Sequence, residues 1–178
     1  MTVRLFVGLA LPDDIRRLLA GLAFGLPNAR WVPRENLHLT LRFIGDVDEG
    51  LADDIHLALC QIQAAAFELS LSGLGTFGRG RRIRKLWAGV TANADLAHLQ
   101  SKVETAVTHC GLPAEGRHFM GHVSLAGLKD PPLDRLQAFV AGNNLLHAAF
   151  RVEAFHLFSS KLGHGDPVYR VEAEYPLI

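Results

Sequence analysis

The chain has 178 residues, 49% of them hydrophobic, which is ample for the core of one globular domain or of two closely packed lobes. Lys+Arg and Asp+Glu both number 18, so the net charge is zero, which excludes a global attraction for polyanions and leaves any nucleic-acid contact to a local basic patch. Two cysteines, Cys60 and Cys110, make no disulfide framework and fit a reducing compartment.

The opening Met1-Thr2-Val3-Arg4-Leu5-Phe6-Val7-Gly8-Leu9-Ala10 is apolar but runs straight into Pro12-Asp13-Asp14, so it reads as a buried first strand rather than a signal peptide. A helix follows, with Ile15, Leu18, Leu19 and Leu22 at helical spacing and an end near Gly25-Leu26-Pro27. The uncharged run from Leu18 to Ala29 contains glycines and a proline and falls short of the ~20 residues needed to cross a bilayer. A cytoplasmic monomer without a membrane segment is expected.

Leu37-His38-Leu39-Thr40-Leu41-Arg42-Phe43 alternates as a strand and closes at Gly45-Asp46. Leu51, Ile55, Leu59 and Ile62 mark a second helix, and Phe67 to Phe77 a strand. After a glycine- and arginine-rich connection the order begins again. Leu86 to Val90 is a strand, and Leu96, Leu99, Val103 and Val107 form a helix face that ends at Gly111. Gly121-His122-Val123-Ser124-Leu125 is a second histidine strand, and Asp130-Pro131-Pro132 opens a helix with Leu133, Leu136 and Val140. Phe150 to Ser159 and Val168 to Tyr175 are the last strands.

Two pseudo-repeats, about 3–78 and 85–160, thus share the order strand, helix, histidine strand, helix, strand, and a terminal strand at 167–176 completes the chain. The offset is nearly constant: 84 positions from His38 to His122 and 81 from Phe6 to Trp87. The expected fold is α+β, a single bilobal domain over 1–178. Two antiparallel sheets related by a pseudo-twofold axis flank a central groove, with helices outside.

Side chains alternate faces along a strand, so His38, Thr40 and Arg42 share one side while Leu37, Leu39, Leu41 and Phe43 pack behind them. In the second copy His122 and Ser124 share a side opposite Val123 and Leu125. Two imidazoles placed equivalently can supply base and acid together near neutral pH. The pattern suits in-line displacement at phosphorus: one imidazole activates water, the other protonates the departing oxygen, and the hydroxyls hold the non-bridging oxygens. Acyl transfer fits less well, because neither Thr40 nor Ser124 lies on a nucleophile elbow.

A metal site is the competing use of a chain with nine histidines, His118 lying four positions before His122. On a strand that spacing is ~13 Å, too wide for one ion. No metal and no cofactor are expected. The run Arg79-Gly80-Arg81-Arg82-Ile83-Arg84-Lys85 reads either as a cradle for a nucleic-acid backbone or as a solvated connection. Arg42 is assigned to phosphate. Tyr169 is open between stacking on a base and packing in a core strand. His56, His98, His109 and His147 fall in predicted helices and read as structural or solvated.

Several stretches together resemble the two-histidine phosphoesterase superfamily, specifically the RNA 2′,3′-cyclic phosphodiesterases also called 2′-5′ RNA ligases. They are Arg4 to Leu9, Trp31-Val32, Glu35 to Gly45, Gly75-Thr76-Phe77, Leu86 to Val90, and Leu157-Phe158-Ser159-Ser160 with Tyr169. The resemblance covers nearly the whole length. It implies both histidines in a central groove and metal-independent hydrolysis of a ribose 2′,3′-cyclic phosphate to a 2′-phosphate, with 2′-5′ ligation as the reverse. The substrate it implies is an RNA 3′ end or a cyclic nucleotide. Carried over, His38 is the general acid, His122 the general base, and Thr40 and Ser124 hold phosphate oxygens. The second motif departs from the family spelling: Gly121 replaces a usual proline, Ser124 a usual threonine, and Gly127 a common arginine. Serine keeps the hydroxyl, whereas Gly127 removes a phosphate contact that Arg42 or Lys129 would have to supply. The alternatives are a binding module that has lost turnover and an enzyme for a small cyclic phosphate derived from ADP-ribose.

Overall fold

The computed structural model describes residues 1–178. The apolar opening forms strand β1 (Thr2–Ala10), and Asp13 and Asp14 stand at the positive end of the dipole of helix α1 (Asp13–Ala20). That helix buries Ile15 and Leu19 but leaves Leu18 exposed. It stops at Gly21 rather than near Gly25, and the turns that follow instead carry Leu26 into the core.

A short strand β2 (Ala29–Trp31) and a 3-10 turn (Arg34–Asn36) lead to the first histidine strand, β3 (His38–Asp48). Asp48 then caps α2 (Glu49–Cys60), its carboxylate accepting from the Leu51 N–H at 2.8 Å. Strand β4 (Phe67–Phe77), a 3-10 turn (Gly80–Arg82) and β5 (Lys85–Val90) follow. Asn93 caps α3 (Ala94–His109) in the same way as Asp48 caps α2, accepting from the Leu96 N–H at 2.9 Å. The buried residues of α3 are the predicted Leu96, Leu99, Val103 and Val107. The chain ends with β6 (His122–Leu128), α4 (Leu133–Gly142), β7 (His147–Val152), β8 (Ala154–Lys161) and β9 (Val168–Pro176).

The run Phe150–Ser159 reads in sequence as one strand, yet it breaks at Glu153 into β7 and β8, which pair in different places. β7 pairs with β4 and β8 with β1, giving the antiparallel order β7-β4-β5-β6-β3-β1-β8-β9 with β2 added on β6. The apolar alternation slips by one residue at the crossing, from Phe150 and Val152 to Phe155 and Leu157, a phase change that the reading as one strand passes over. His147, expected in a helix, begins β7.

The order also reveals an exchange. β4, from the first repeat, pairs with β5 of the second, and β8, from the second, pairs with β1 of the first. Each repeat therefore places its third strand in the other repeat's sheet. The two four-stranded halves meet along β3 and β6 through a single pair, Leu39 with Val123.

Both histidine strands are bulged at equivalent points. Against β1, Val7 pairs with Arg42 and Gly8 with Thr40, so Leu41 is the extra residue. Against β5, Leu86 pairs with Ala126 and Trp87 with Ser124, so Leu125 is extra, 84 positions from Leu41. A bulge inverts the faces of everything beyond it. Leu41 and Arg42 are accordingly buried in succession, as are Leu125 and Ala126, and Phe43, expected behind the strand, is 48% exposed.

Behind the seam, α2 and α3 pack on each other and on β3, and one cluster of 34 buried hydrophobic residues runs through both repeats. Burial of each large side chain there contributes about 1.5–3 kcal/mol. No helix is long and apolar enough to cross a membrane.

Candidate active site

Leu39 and Val123 are fully buried, so their strand neighbours His38, Thr40, His122 and Ser124 point to the opposite, groove face. The antiparallel Leu39–Val123 pair sets His38 across from Ser124 and Thr40 across from His122. The sequence-predicted residues His38, Thr40 and Ser124 line one cavity of about 340 Å³ together with Tyr169 and Asn36. His122 lines an adjoining cavity of about 550 Å³, and Arg84 and Lys85 form the wall shared by the two.

The two imidazoles are held alike. His38 Nδ1 lies 2.7 Å from the Asn36 carbonyl and His122 Nδ1 2.8 Å from the Met120 carbonyl, in each case two residues back along the chain. A carbonyl only accepts, so each Nδ1 carries the proton and each neutral ring has its lone pair on Nε2. His38 Nε2 is 2.8 Å from the Thr40 hydroxyl, which donates to it when the ring is neutral. Burial holds both imidazoles below the usual histidine range. Lys85 beside His122, and His122 beside His38, lower them further.

Arg42 does not share this face. The bulge at Leu41 turns it inward, where its guanidinium pairs with Glu104 at 2.6 Å and donates to the carbonyls of Phe43 and Pro113. Its equivalent in the second repeat is the core residue Ala126, so Arg42 fills a core position and its charge is met by α3. Lys129 lies beyond β6 and lines neither cavity. The cations that line the smaller cavity with Gly127 are Arg84 and Lys85, with Lys85 paired to Gly127 across β5 and β6, while Arg30, opposite Gly127 on β2, is paired with Asp166. The basic run thus divides. Its last two residues wall the groove, whereas Arg81 and Arg82 sit on an exposed turn. His118 precedes β6, so the strand spacing that separates it from His122 in sequence does not apply, and both line the larger cavity.

Tyr169 lies edge-on to His38 with ring centroids 5.3 Å apart and to Phe6 at 5.0 Å, forming one end of the smaller cavity rather than part of the core. Burial and the nearby Asp166 raise its hydroxyl above the usual tyrosine range.

A LigT-like phosphoesterase family model matches this sequence twice, over residues 9–87 and 90–169. The chain belongs to the LigT-like phosphoesterase family. The two matched segments start 81 positions apart, the offset that separates Phe6 from Trp87, and each contains one histidine strand. An RNA 2′,3′-cyclic phosphodiesterase of Aeropyrum pernix is 34% identical over 151 residues, covering 82% of this chain and 84% of that protein. One from Thermotoga maritima is 27% identical, covering 95% and 92% of the two chains. The crystal structure of Escherichia coli LigT complexed with 3′-AMP superposes with a TM-score of 0.79 at 25% identity, covering 99% of each chain.

In this LigT-like phosphoesterase each histidine also stands between two aromatic rings, which the motif reading passed over. Phe6 and Phe158 lie 4.7 and 6.0 Å from His38, and Trp87 and Phe77 lie 6.1 and 5.0 Å from His122. Phe6 to Trp87 and Phe77 to Phe158 are both 81 positions, so the repeat offset applied to aromatics would have found them. Because the third strands are exchanged, each histidine receives one ring from its own repeat and one from the other. Asn36 was also missed. Its carbonyl orients His38, while its buried side chain donates to the Pro167 carbonyl at 2.8 Å and ties the Tyr169 loop to the histidine strand. Only its position two before His38 could have signalled this.

Proposed function

We propose that this phosphoesterase hydrolyses ribose 2′,3′-cyclic phosphates, at RNA 3′ ends or on nucleotides, to 2′-phosphates through His38 and His122 without a metal. The observation that carries the reading is the matched anchoring of two imidazoles, each with Nδ1 on its own strand's carbonyl, which leaves Nε2 as the reactive nitrogen: that of His38 meets the Thr40 hydroxyl, and that of His122 has no protein partner. His122 Nε2 takes a proton from water as the water oxygen attacks phosphorus. The bond to O3′ breaks, and His38 Nε2–H delivers the proton to that oxygen. Thr40 and Ser124 donate to the non-bridging oxygens, where charge develops. With a 5′-hydroxyl in place of water as the nucleophile, the same displacement forms a 2′-5′ phosphodiester and releases O3′, which takes the proton from His38.

The assignment of His122 as base is supported by Lys85, whose charge favours the neutral ring. A bound phosphate anion beside His38 has the opposite effect and favours its protonation. The two cavities present imidazoles, hydroxyls and cations but no carboxylate, a donor set suited to acid/base rather than metal chemistry. The names of the relatives support a 2′,3′-cyclic phosphate at an RNA end as substrate.

Phosphorus NMR of the product from a 2′,3′-cyclic nucleotide, with and without exhaustive chelation, tests the reading. A 2′-phosphate formed at an unchanged rate under chelation is expected. Exclusive 3′-phosphate would reverse the roles of the histidines, and activity restored only by an added metal would overturn the mechanism.

A further inference from the structure

Of the larger cavity, on the His122 side, the proposed cleavage uses His122 and its neighbour Lys85 and leaves the rest of the lining without a role. It is lined by Phe77, Arg84, Lys85, Arg117, His118, Met120 and His122. No carboxylate lines it, and none of Arg84, Lys85 or Arg117 forms an ion pair. Three cations left unpaired around a concave site in a chain of zero net charge mark an anion site.

Its place relative to the chemistry narrows the anion. A ribose held by its 2′,3′-cyclic phosphate between His38, Thr40 and Ser124 has two other substituents that can reach out, the base on C1′ and the oxygen on C5′. The smaller cavity has Val32 and Tyr169 in its lining, apolar and aromatic surface that suits a base. The larger one, beyond the shared wall of Arg84 and Lys85, offers mostly charge.

Resting on the cyclic phosphodiesterase reading, we propose that Arg117 and His118, with Arg84, bind a second phosphate carried on the 5′ oxygen of the terminal ribose. The groove then selects a phosphorylated nucleotide or an RNA end over a bare nucleoside cyclic phosphate. The same chemistry is met by a 5′-monophosphate and by the last internucleotide linkage. The strand leaves the groove past Arg117, not over the exposed turn of Arg81 and Arg82.

Binding to the full chain tests this without requiring turnover. Adenosine 2′,5′-bisphosphate should bind roughly tenfold more tightly than adenosine 2′-phosphate, the size of one charge-assisted contact. Arg117→Gln should remove most of that gain while leaving the affinity for the 2′-phosphate alone unchanged, and His118→Gln should remove part of it. An unchanged melting curve for each variant separates the effect from misfolding. In turnover, kcat/KM should rise alike for a 5′-phosphorylated cyclic mononucleotide and for a dinucleotide with a cyclic end. Equal affinity for the two adenosine phosphates, or an Arg117→Gln variant that weakens both equally, would overturn the proposal. A gain confined to the dinucleotide would overturn it too, because the upstream nucleoside would then be what is held. If cyclic phosphates are not hydrolysed while the bisphosphate preference and its loss in Arg117→Gln persist, the proposed activity fails and the anion site stands.

Discussion

Leu39 and Val123, 84 positions apart and equivalent in the two repeats, pair with each other at the seam between the sheets. A pair of equivalent residues lies on the pseudo-twofold axis, so the axis itself delivers one imidazole and one hydroxyl from each side. The histidines are alike in backbone setting and unlike in surroundings: His38 has its hydroxyl partner and Tyr169, and His122 has Lys85. In the proposed mechanism it is these neighbours that would make one ring the acid and the other the base.

If the two act as a pair, His38→Ala and His122→Ala should each lower kcat by roughly 10²–10⁴-fold, with substrate binding less affected. The losses should not multiply in the double variant. Single-turnover rates at saturating cyclic nucleotide measure this, and a loss of only a few-fold in either single variant would mean that another group carries that proton.

Arg42→Ala should act on stability rather than on phosphate binding. The guanidinium is 9% exposed and Glu104 23%, so removing one partner leaves a largely desolvated carboxylate and strands the Pro113 carbonyl. A cost of about 3 kcal/mol is expected in denaturant unfolding. The KM of the folded fraction for a cyclic mononucleotide should stay unchanged. A stable variant with a KM raised tenfold would return Arg42 to the groove.

Arg42 also marks where sequence reasoning stops. The period-two alternation from Leu37 to Phe43 correctly places His38 and Thr40, because no bulge intervenes between them and the buried Leu39. One extra residue at Leu41 inverts the faces of Arg42 and Phe43, and nothing local announces it, since the apolar-polar pattern continues and the partner Glu104 lies 62 positions away. Glu153 is different: the change of phase from Phe150 and Val152 to Phe155 and Leu157 marks a break, but nothing local says that the chain crosses there from one half of the sheet to the other. Repeat spacing, by contrast, is a long-range signal that survives such local shifts. The histidine-hydroxyl motif placed both strands, and the 81-position offset from Phe6 to Trp87 and from Phe77 to Phe158 would have pointed to the flanking aromatics.

Gly127→Arg should restore a phosphate contact. A Cβ added at Gly127 meets no atom within 4 Å, and the residue lines the smaller cavity beside Lys85. We expect KM for a 2′,3′-cyclic mononucleotide to fall by about three- to tenfold with little change in kcat, since the contact is made in ground and transition states alike. A raised KM would show that Arg84 and Lys85 already occupy the space this arginine needs.

Gly8 holds the first strand against the histidine strand at close range. A Cβ there would lie 2.7 Å from the Leu39 carbonyl and 3.6 Å from the His38 ring. Gly8→Val should therefore push β1 from β3 beside the His38 imidazole and, if His38 is the proposed acid, lower kcat more than it lowers the unfolding midpoint. The ratio of the two losses, compared with that of Val7→Ala in the neighbouring core position, provides the check.

The pH dependence follows from the neighbours of each ring. Burial lowers both imidazoles, so folding favours their neutral forms. Their contribution to stability is complete above the ordinary histidine range of about 6.5 and is lost as pH falls toward the lowered folded values. For turnover, kcat/KM reports the free enzyme, in which one ring must be neutral and the other protonated, so its bell should be centred on the acid side of the ordinary range. Lys85→Met removes the cation that depresses His122, so the His122 value rises and the acid limb moves to higher pH if His122 is the base. Movement of the basic limb instead would make His122 the acid. In the complex the phosphate anion stabilises the protonated His38, so the basic limb of kcat should lie at higher pH than that of kcat/KM. Coincident limbs would mean that the acid does not face the phosphate.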